Sequence, residues 1–242
     1  MKLLIVRHAD PDYEIDGLTE KGKREALLLA DRLEKEEIAA LYCSTLGRAR
    51  ATAAPTLARI GLEGCYCDWL REFDYAPVKF PYLDRVKCCW DVLPSYLDTQ
   101  ATVYHPTEWK NADFFKGTKT AAAYDRVVKE LDGLLARHGY VREGYSYRAV
   151  RPNHDTVVLV CHFGVSAVLL SHLWNCSPYT IWQNCVTLPS SVTVFHTEER
   201  EEGIASFRCC AMGDLSHLYA ANEPPAFSAR FCECFTDDTR HH

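Results

Sequence analysis

The chain has 242 residues, 48% hydrophobic and 25% charged, with a formal net charge of −6. That length and apolar content suit a soluble domain with a sizeable core, and the acidic balance argues against general nucleic-acid binding. No run approaches the roughly 20 apolar residues of a spanning helix, and Lys2 precedes only a short apolar stretch before Arg7, unlike a signal peptide. A cytoplasmic protein with neither nucleic-acid nor membrane partners is expected.

Residues 3–6 form an apolar run that reads as a buried strand and ends abruptly in Arg7-His8. Residues 11–17 are rich in turn formers. Thr19 suits an N-cap, and Ala26, Leu29, Ala30 and Leu33 recur at helical spacing, which predicts a helix over about 19–36. A short strand over 38–43 follows, then a helix over about 46–60 that Ser44 caps and Pro55 kinks or shortens. Residues 65–73 read as another short strand and its exit. Residues 74–118 change character: prolines interrupt a segment dense in Tyr, Phe and Trp, which predicts an insertion of short helices and loops over the core. Local packing is the expected role of its aromatics, with contact to a flat or apolar part of a substrate as the alternative. Of Lys79, Arg85, Lys87, Lys110, Lys116 and Lys119 most are expected to be solvated, with one or two able to reach a substrate's anionic tail. Helix is predicted over 121–135, a hairpin over 140–155, a central β-branched strand over 156–161 and a helix over 163–174. Two later strands, over 191–196 and 204–212, turn antiparallel about 201–203. The tail from 224 has no periodicity.

Strands alternating with helices give an α/β class: a three-layer α/β/α sandwich on a mostly parallel sheet. The whole chain, 1–242, reads as one domain with 74–118 as a cap-like insertion. The 12 cysteines include Cys65-x-Cys67, Cys88-Cys89, Cys209-Cys210 and Cys232-x-Cys234 but no CxxC pair. Reduced, packed thiols are therefore expected, and no metal site. Cys232 and Cys234 with His241 and His242 could hold a metal only adventitiously.

In such sheets ligands bind beyond the carboxyl ends of the strands. Four features fall there: Arg7-His8; the segment 44–53 with Arg48 in the first turn of a helix; Leu70-Arg71-Glu72; and Cys161-His162-Phe163-Gly164. A neutral imidazole is a nucleophile toward phosphorus, arginine forks hold phosphate oxygens, and a helix N-terminus presents free N–H groups to an anion.

Together with Leu18-Thr19-x-x-Gly22 and Gly213-Asp214-Leu215-Ser216-His217-Leu218, these motifs resemble the histidine phosphatase superfamily. The branch is that resembling cofactor-dependent phosphoglycerate mutase, and the match is strongest over 3–72 and 156–218. The resemblance implies that His8 is the nucleophile that becomes phosphohistidine. It implies that Arg7, Arg48 and His162 bind the phosphoryl group, and that Glu72 is the general acid. Neither metal nor organic cofactor is implied; the partner is a small phosphorylated substrate. Asp68 and Asp74 are alternatives to Glu72. Arg50, roughly 200° round the helix from Arg48, is assigned to solvent or a surface ion pair, and His217 to a structural role. His138, His154, His172 and His196 are assigned to surface or packing.

The chain departs from the family pattern at Ala9, in the short loop 9–17, and at Phe163. These departures weaken a mutase more than a phosphatase. The expected activity is phosphomonoester hydrolysis through His8; the alternatives are a phosphoglycerate mutase or a non-enzymatic phosphate-binding protein.

Overall fold

The computed structural model describes residues 1–228, 230–237 and 239, so the proposed Cys232–Cys234–His241–His242 set lies partly outside the described residues. In strand β1 (Lys2–Arg7), Leu3 and Ile5 join one core cluster while Leu4 and Val6 join another. Such alternation means the strand is covered on both faces. The loop after it is closed by a small ladder of β2 (Pro11–Asp12) with β3 (Gly17–Leu18). Helix α1 (Glu20–Leu33) starts where the sequence predicts, with the Thr19 hydroxyl accepting from Gly22 N–H at 3.0 Å. Gly22 is obligatory, because a Cβ there would meet the Asp10 carbonyl.

Strand β4 (Ile38–Ser44) leads into α2 (Gly47–Ile60). Contrary to expectation, Pro55 does not shorten α2. The carbonyl that loses its partner belongs to Ala51, which is exposed and open to water. Strand β5 (Cys65–Cys67) is shorter than predicted: turns of 3₁₀-helix over Asp68–Leu70 and Phe73–Tyr75 replace its second half. Trp69, Leu70 and Phe73 are all buried, a helical rather than an alternating spacing.

Residues 74–118 do form short pieces: a ladder of β6 (Val78–Lys79) with β7 (Val86–Lys87), helix α3 (Pro94–Leu97), and 3₁₀ turns over Glu108–Asn111 and Asp113–Phe115. Their rings pack on one another, Phe114 on Phe115 at 4.5 Å and Phe80 on Tyr82 at 5.5 Å between centroids. Trp109 meets Tyr124 of α4 (Thr120–Arg137) at 4.9 Å, which joins the insertion to the main core.

The hairpin of β8 (Tyr140–Glu143) with β9 (Ser146–Ala149) is followed by β10 (Thr156–Cys161), buried at every residue, and α5 (Phe163–Trp174). Then come α6 (Pro178–Asn184), the long hairpin of β11 (Val192–Glu201) with β12 (Ile204–Asp214), and α7 (Ser216–Ala220). The main sheet runs β5-β4-β10-β1-β11-β12-β9-β8. It is parallel across β5, β4, β10 and β1 and antiparallel along the rest. The parallel core thus carries an antiparallel flank, which the two later strands and the hairpin supply. The register sets Arg7 beside Cys161, Val160 beside Cys43 and Ser44 beside Cys67. The carboxyl ends of four neighbouring strands therefore stop at one level. Among the described residues no helix is long and apolar enough to cross a membrane.

Candidate active site

His8 leaves β1 at that level with 1% of its surface exposed. Its Nδ1 lies 2.8 Å from the Ala9 carbonyl. A carbonyl only accepts, so Nδ1 carries the proton and Nε2 is left with its lone pair. Burial, then the charge of Arg7, drives the imidazole pKa well below the usual histidine value. His8 is therefore a neutral base at pH 7. Ala9, where the family resemblance has glycine, is accommodated: its N–H donates to Thr52 Oγ1 at 2.9 Å.

His162 follows β10 and lies 5.0 Å from His8, ring centre to ring centre. Its Nε2 meets Ser44 Oγ at 2.7 Å, and the same hydroxyl oxygen accepts from Leu46 N–H at 3.2 Å. The Ser44 proton is thus free to go to Nε2, which leaves Nδ1–H as a buried donor with no protein partner. Here the sequence reading needs correction. Ser44 does not cap α2, whose N-cap is Leu46; it is committed to His162. The free N-terminus of α2 is met instead by Asp16, which accepts from Gly47 N–H at 2.6 Å.

Arg48 stands in the first turn of α2, largely buried, with Nη1 donating to Asp16 at 2.7 Å. Arg7, also buried, donates through Nη1 to the carbonyls of Thr187 at 2.6 Å and Ser228 at 3.3 Å. In both arginines the buried Nε has no partner. Arg7 Nε, Arg48 Nε and His162 Nδ1 are thus three buried donors that no hydrogen bond within the described residues satisfies. Buried donors left alone are costly, and a tetrahedral anion beside His8 is an acceptor for such a set.

Glu72 caps the 3₁₀ turn Phe73–Tyr75, accepting from Phe73 N–H at 2.8 Å and from Val165 N–H, near the start of α5, at 3.2 Å. Burial raises its pKa above the ordinary carboxylate value, Asp74 adding to this and Arg7 opposing it. Its rivals lie elsewhere. Asp68 is tied to Arg71 and Arg126 at the surface, and Asp74 is exposed. All five residues read from the sequence, Arg7, His8, Arg48, Glu72 and His162, thus gather at the carboxyl edge of the parallel strands.

Others fall away from it. Arg50 is exposed to solvent, as one of its two expected places has it, and lies 4.9 Å over the Tyr66 ring. His217 is buried against Ser190 at 3.2 Å, and burial lowers its pKa to about 4. His172 pairs with Asp132 and His138 with Tyr42. An open hollow between α1 and α7, lined by Leu28, Arg32, Lys35 and His217, contains none of the five. Among the described residues no group of three or more His, Cys, Asp or Glu side chains is arranged to hold a metal ion. Sequence reasoning missed Asp16, Tyr13 and Trp90 near the site. Asp16 had one legible sign, its place just before Leu18-Thr19; Trp90 had none.

Residues 3–209 match the model of the histidine phosphatase superfamily, branch 1. Phosphoserine phosphatase 1 of Hydrogenobacter thermophilus is 26% identical over 225 residues, covering 89% of this chain and 96% of its own. The phosphoserine phosphatase of Entamoeba histolytica, solved with phosphoserine, superposes with a TM-score of 0.59 at 16% identity, over 90% of this chain and 98% of that one. A mycobacterial glucosyl-3-phosphoglycerate phosphatase gives a TM-score of 0.59 at 20% identity, over 88% and 98%. These two structures speak to the fold. With the family match spanning most of its length, the chain belongs to the histidine phosphatase superfamily.

Proposed function

We propose that the protein is a metal-independent phosphatase that hydrolyses small phosphomonoesters through a phosphohistidine on His8. The observation that carries this reading is the set of three buried, unpartnered donors, Arg7 Nε, Arg48 Nε and His162 Nδ1, around a histidine held neutral. In the first step the Nε2 lone pair attacks phosphorus, the P–O ester bond breaks, and the departing oxygen takes the Glu72 proton. Arginine forks and the His162 N–H balance charge on the equatorial oxygens. In the second step Glu72, now a carboxylate, takes a proton from water; the water oxygen attacks phosphorus and the P–N bond returns its electron pair to His8. Relatives named for phosphoserine and glucosyl-3-phosphoglycerate phosphatases support a small phosphorylated substrate. A reducing, cytoplasmic setting is supported by the twelve cysteines, all free thiols.

The test is hydrolysis of p-nitrophenyl phosphate in EDTA from pH 5 to 8, with His8→Ala alongside. Activity that survives the chelator and disappears in the variant is expected. Full activity in His8→Ala would overturn the reading, and dependence on added metal would remove its metal-independent part.

A further inference from the structure

The bond-breaking end of the site has a chemical character of its own. Glu72 Oε1 and the six-membered ring of Trp90 both crowd the open side of Gly164: a Cβ built there would stand 2.7 Å from the carboxyl oxygen, with the ring nearer still. The leaving oxygen must approach Glu72, so whatever it carries passes Trp90. This tryptophan comes from the insertion and is held in place. Its carbonyl accepts from Gln183 Nε2 at 2.6 Å, and its ring meets Phe163 edge-on at 6.2 Å and Trp182 at 5.9 Å. Unlike Trp182 and Phe163, it keeps part of its surface exposed. Aromatic faces also flank the phosphate ligands, Phe163 at 5.8 Å from the Arg7 guanidinium and Tyr13 at 5.3 Å from that of Arg48.

Beside the Glu72 carboxyl the nearest charge contributed by the insertion is negative, whereas the Arg71 cation lies on the His162 side. Arg7 and Arg48 are the phosphate ligands. The insertion brings the Asp74 carboxylate close enough to oppose ionisation of Glu72. Of its cations, Lys87, Lys110 and Lys116 are each bound to an aspartate, and Lys79, Arg85 and the adjoining Lys119 are exposed to solvent. The neighbouring Cys88 thiol, pushed up to about 12 by burial and then by Glu72 and Asp74, stays uncharged.

We propose that the alcohol released here is uncharged and carries a flat or apolar group within a carbon or two of the ester oxygen, and that Trp90 is the residue that selects it. The inference rests on the phosphatase reading and adds the substrate class to it. It sets this chain apart from relatives named for substrates that bear a carboxylate.

The experiment compares kcat/KM for benzyl phosphate, glycerol 3-phosphate and 3-phosphoglycerate near pH 6.5. All three are alkyl esters, so leaving-group reactivity does not decide the order. Benzyl phosphate is expected to lead the other two by at least about tenfold, the size of effect one buried ring contact supplies. Trp90→Ala should collapse that lead, chiefly through KM, and Trp90→Phe should keep most of it. Asp74→Lys should raise 3-phosphoglycerate relative to benzyl phosphate. If wild type turns over 3-phosphoglycerate as well as benzyl phosphate, or better, the inference fails while the phosphatase reading stands. A lead that Trp90→Ala leaves untouched overturns the role of Trp90. Turnover of none of the three while p-nitrophenyl phosphate is still hydrolysed overturns the inference alone; loss of p-nitrophenyl phosphate hydrolysis as well overturns the phosphatase reading with it.

Discussion

The proposed reaction requires Glu72 to be a carboxylic acid at the moment the ester bond breaks, and His8 to be an unprotonated imidazole. Burial raises the first pKa and lowers the second. The two shifts run against the ordinary order, in which a carboxyl loses its proton before an imidazole. The profile of kcat/KM should therefore rise as His8 loses its proton and fall as Glu72 loses its own. Glu72→Gln should erase the alkaline limb and cost about 10²- to 10⁴-fold on an alkyl phosphate. On p-nitrophenyl phosphate, whose phenolate departs without a proton, the loss should be much smaller; equal losses on both would remove Glu72 from the acid role. Asp16 offers a second prediction. Its carboxylate meets both Gly47 N–H and Arg48, so Asp16→Ala should lower unfolding stability by about 1 kcal/mol, as losing a helix cap does, read from the urea midpoint. At this scale the sequence was legible where chemistry demands a residue type. Arg7, His8, Arg48, Glu72 and His162 each follow a strand and each carries a group that phosphoryl transfer needs. The roles of Ser44 and Trp90 were not legible and that of Asp16 barely so, because they depend on partners 118, 74 and 31 residues away in the chain.

Among the elements, α1 holds an unusual burden. Glu25 on its buried face is fully covered, with Oε2 accepting from Asp10 N–H at 2.8 Å and Oε1 without a hydrogen bond, Lys21 Nζ standing 3.8 Å from it. Burial, reinforced by the Asp10 charge, raises its pKa from 4.5 to about 7. A folded pKa above the unfolded one means the fold favours the protonated form. The associated stability is complete below about pH 4.5 and declines as pH rises through about 7, by a total on the order of 3 kcal/mol. Glu25→Gln should flatten this dependence, being more stable than wild type at pH 8 but not at pH 4; parallel curves for the two proteins would contradict it. Two helices were readable within a few residues: α5, apolar and buried nearly all round, over its full length, and α1, with its apolar stripe, to within its last turn. The stretch 65–73 misled, because a run of three buried residues at helical spacing is too short to declare a period. The insertion could be recognised but not traced, since its pieces are held by ring contacts across the segment rather than by local periodicity.

For the molecule as a whole, the sheet supplies rigidity to the site. Leu159, in the middle of β10 and fully buried, should cost about 2–5 kcal/mol when replaced by alanine, measured by denaturant unfolding. The parallel half of the sheet was foreseeable from strands alternating with helices. The order of its strands was not, because pairing joins residues far apart in the chain. Lys2 lies beside Thr156 and His196, and Thr156 beside Ile38. That pairing has a consequence for how the protein is born. β1 leaves the ribosome first among these strands, yet both of its neighbours in the sheet, β10 and β11, lie more than 150 residues further along the chain. Until β10 emerges, the nucleophile has no floor beneath it, and the second histidine does not yet exist. Long-range closure of this kind is slow, and the exposed β1 waits as an unpaired apolar strand that invites chaperones or aggregation. Phosphate affinity would then appear late and all at once, so that anion binding during refolding reports completion of the fold.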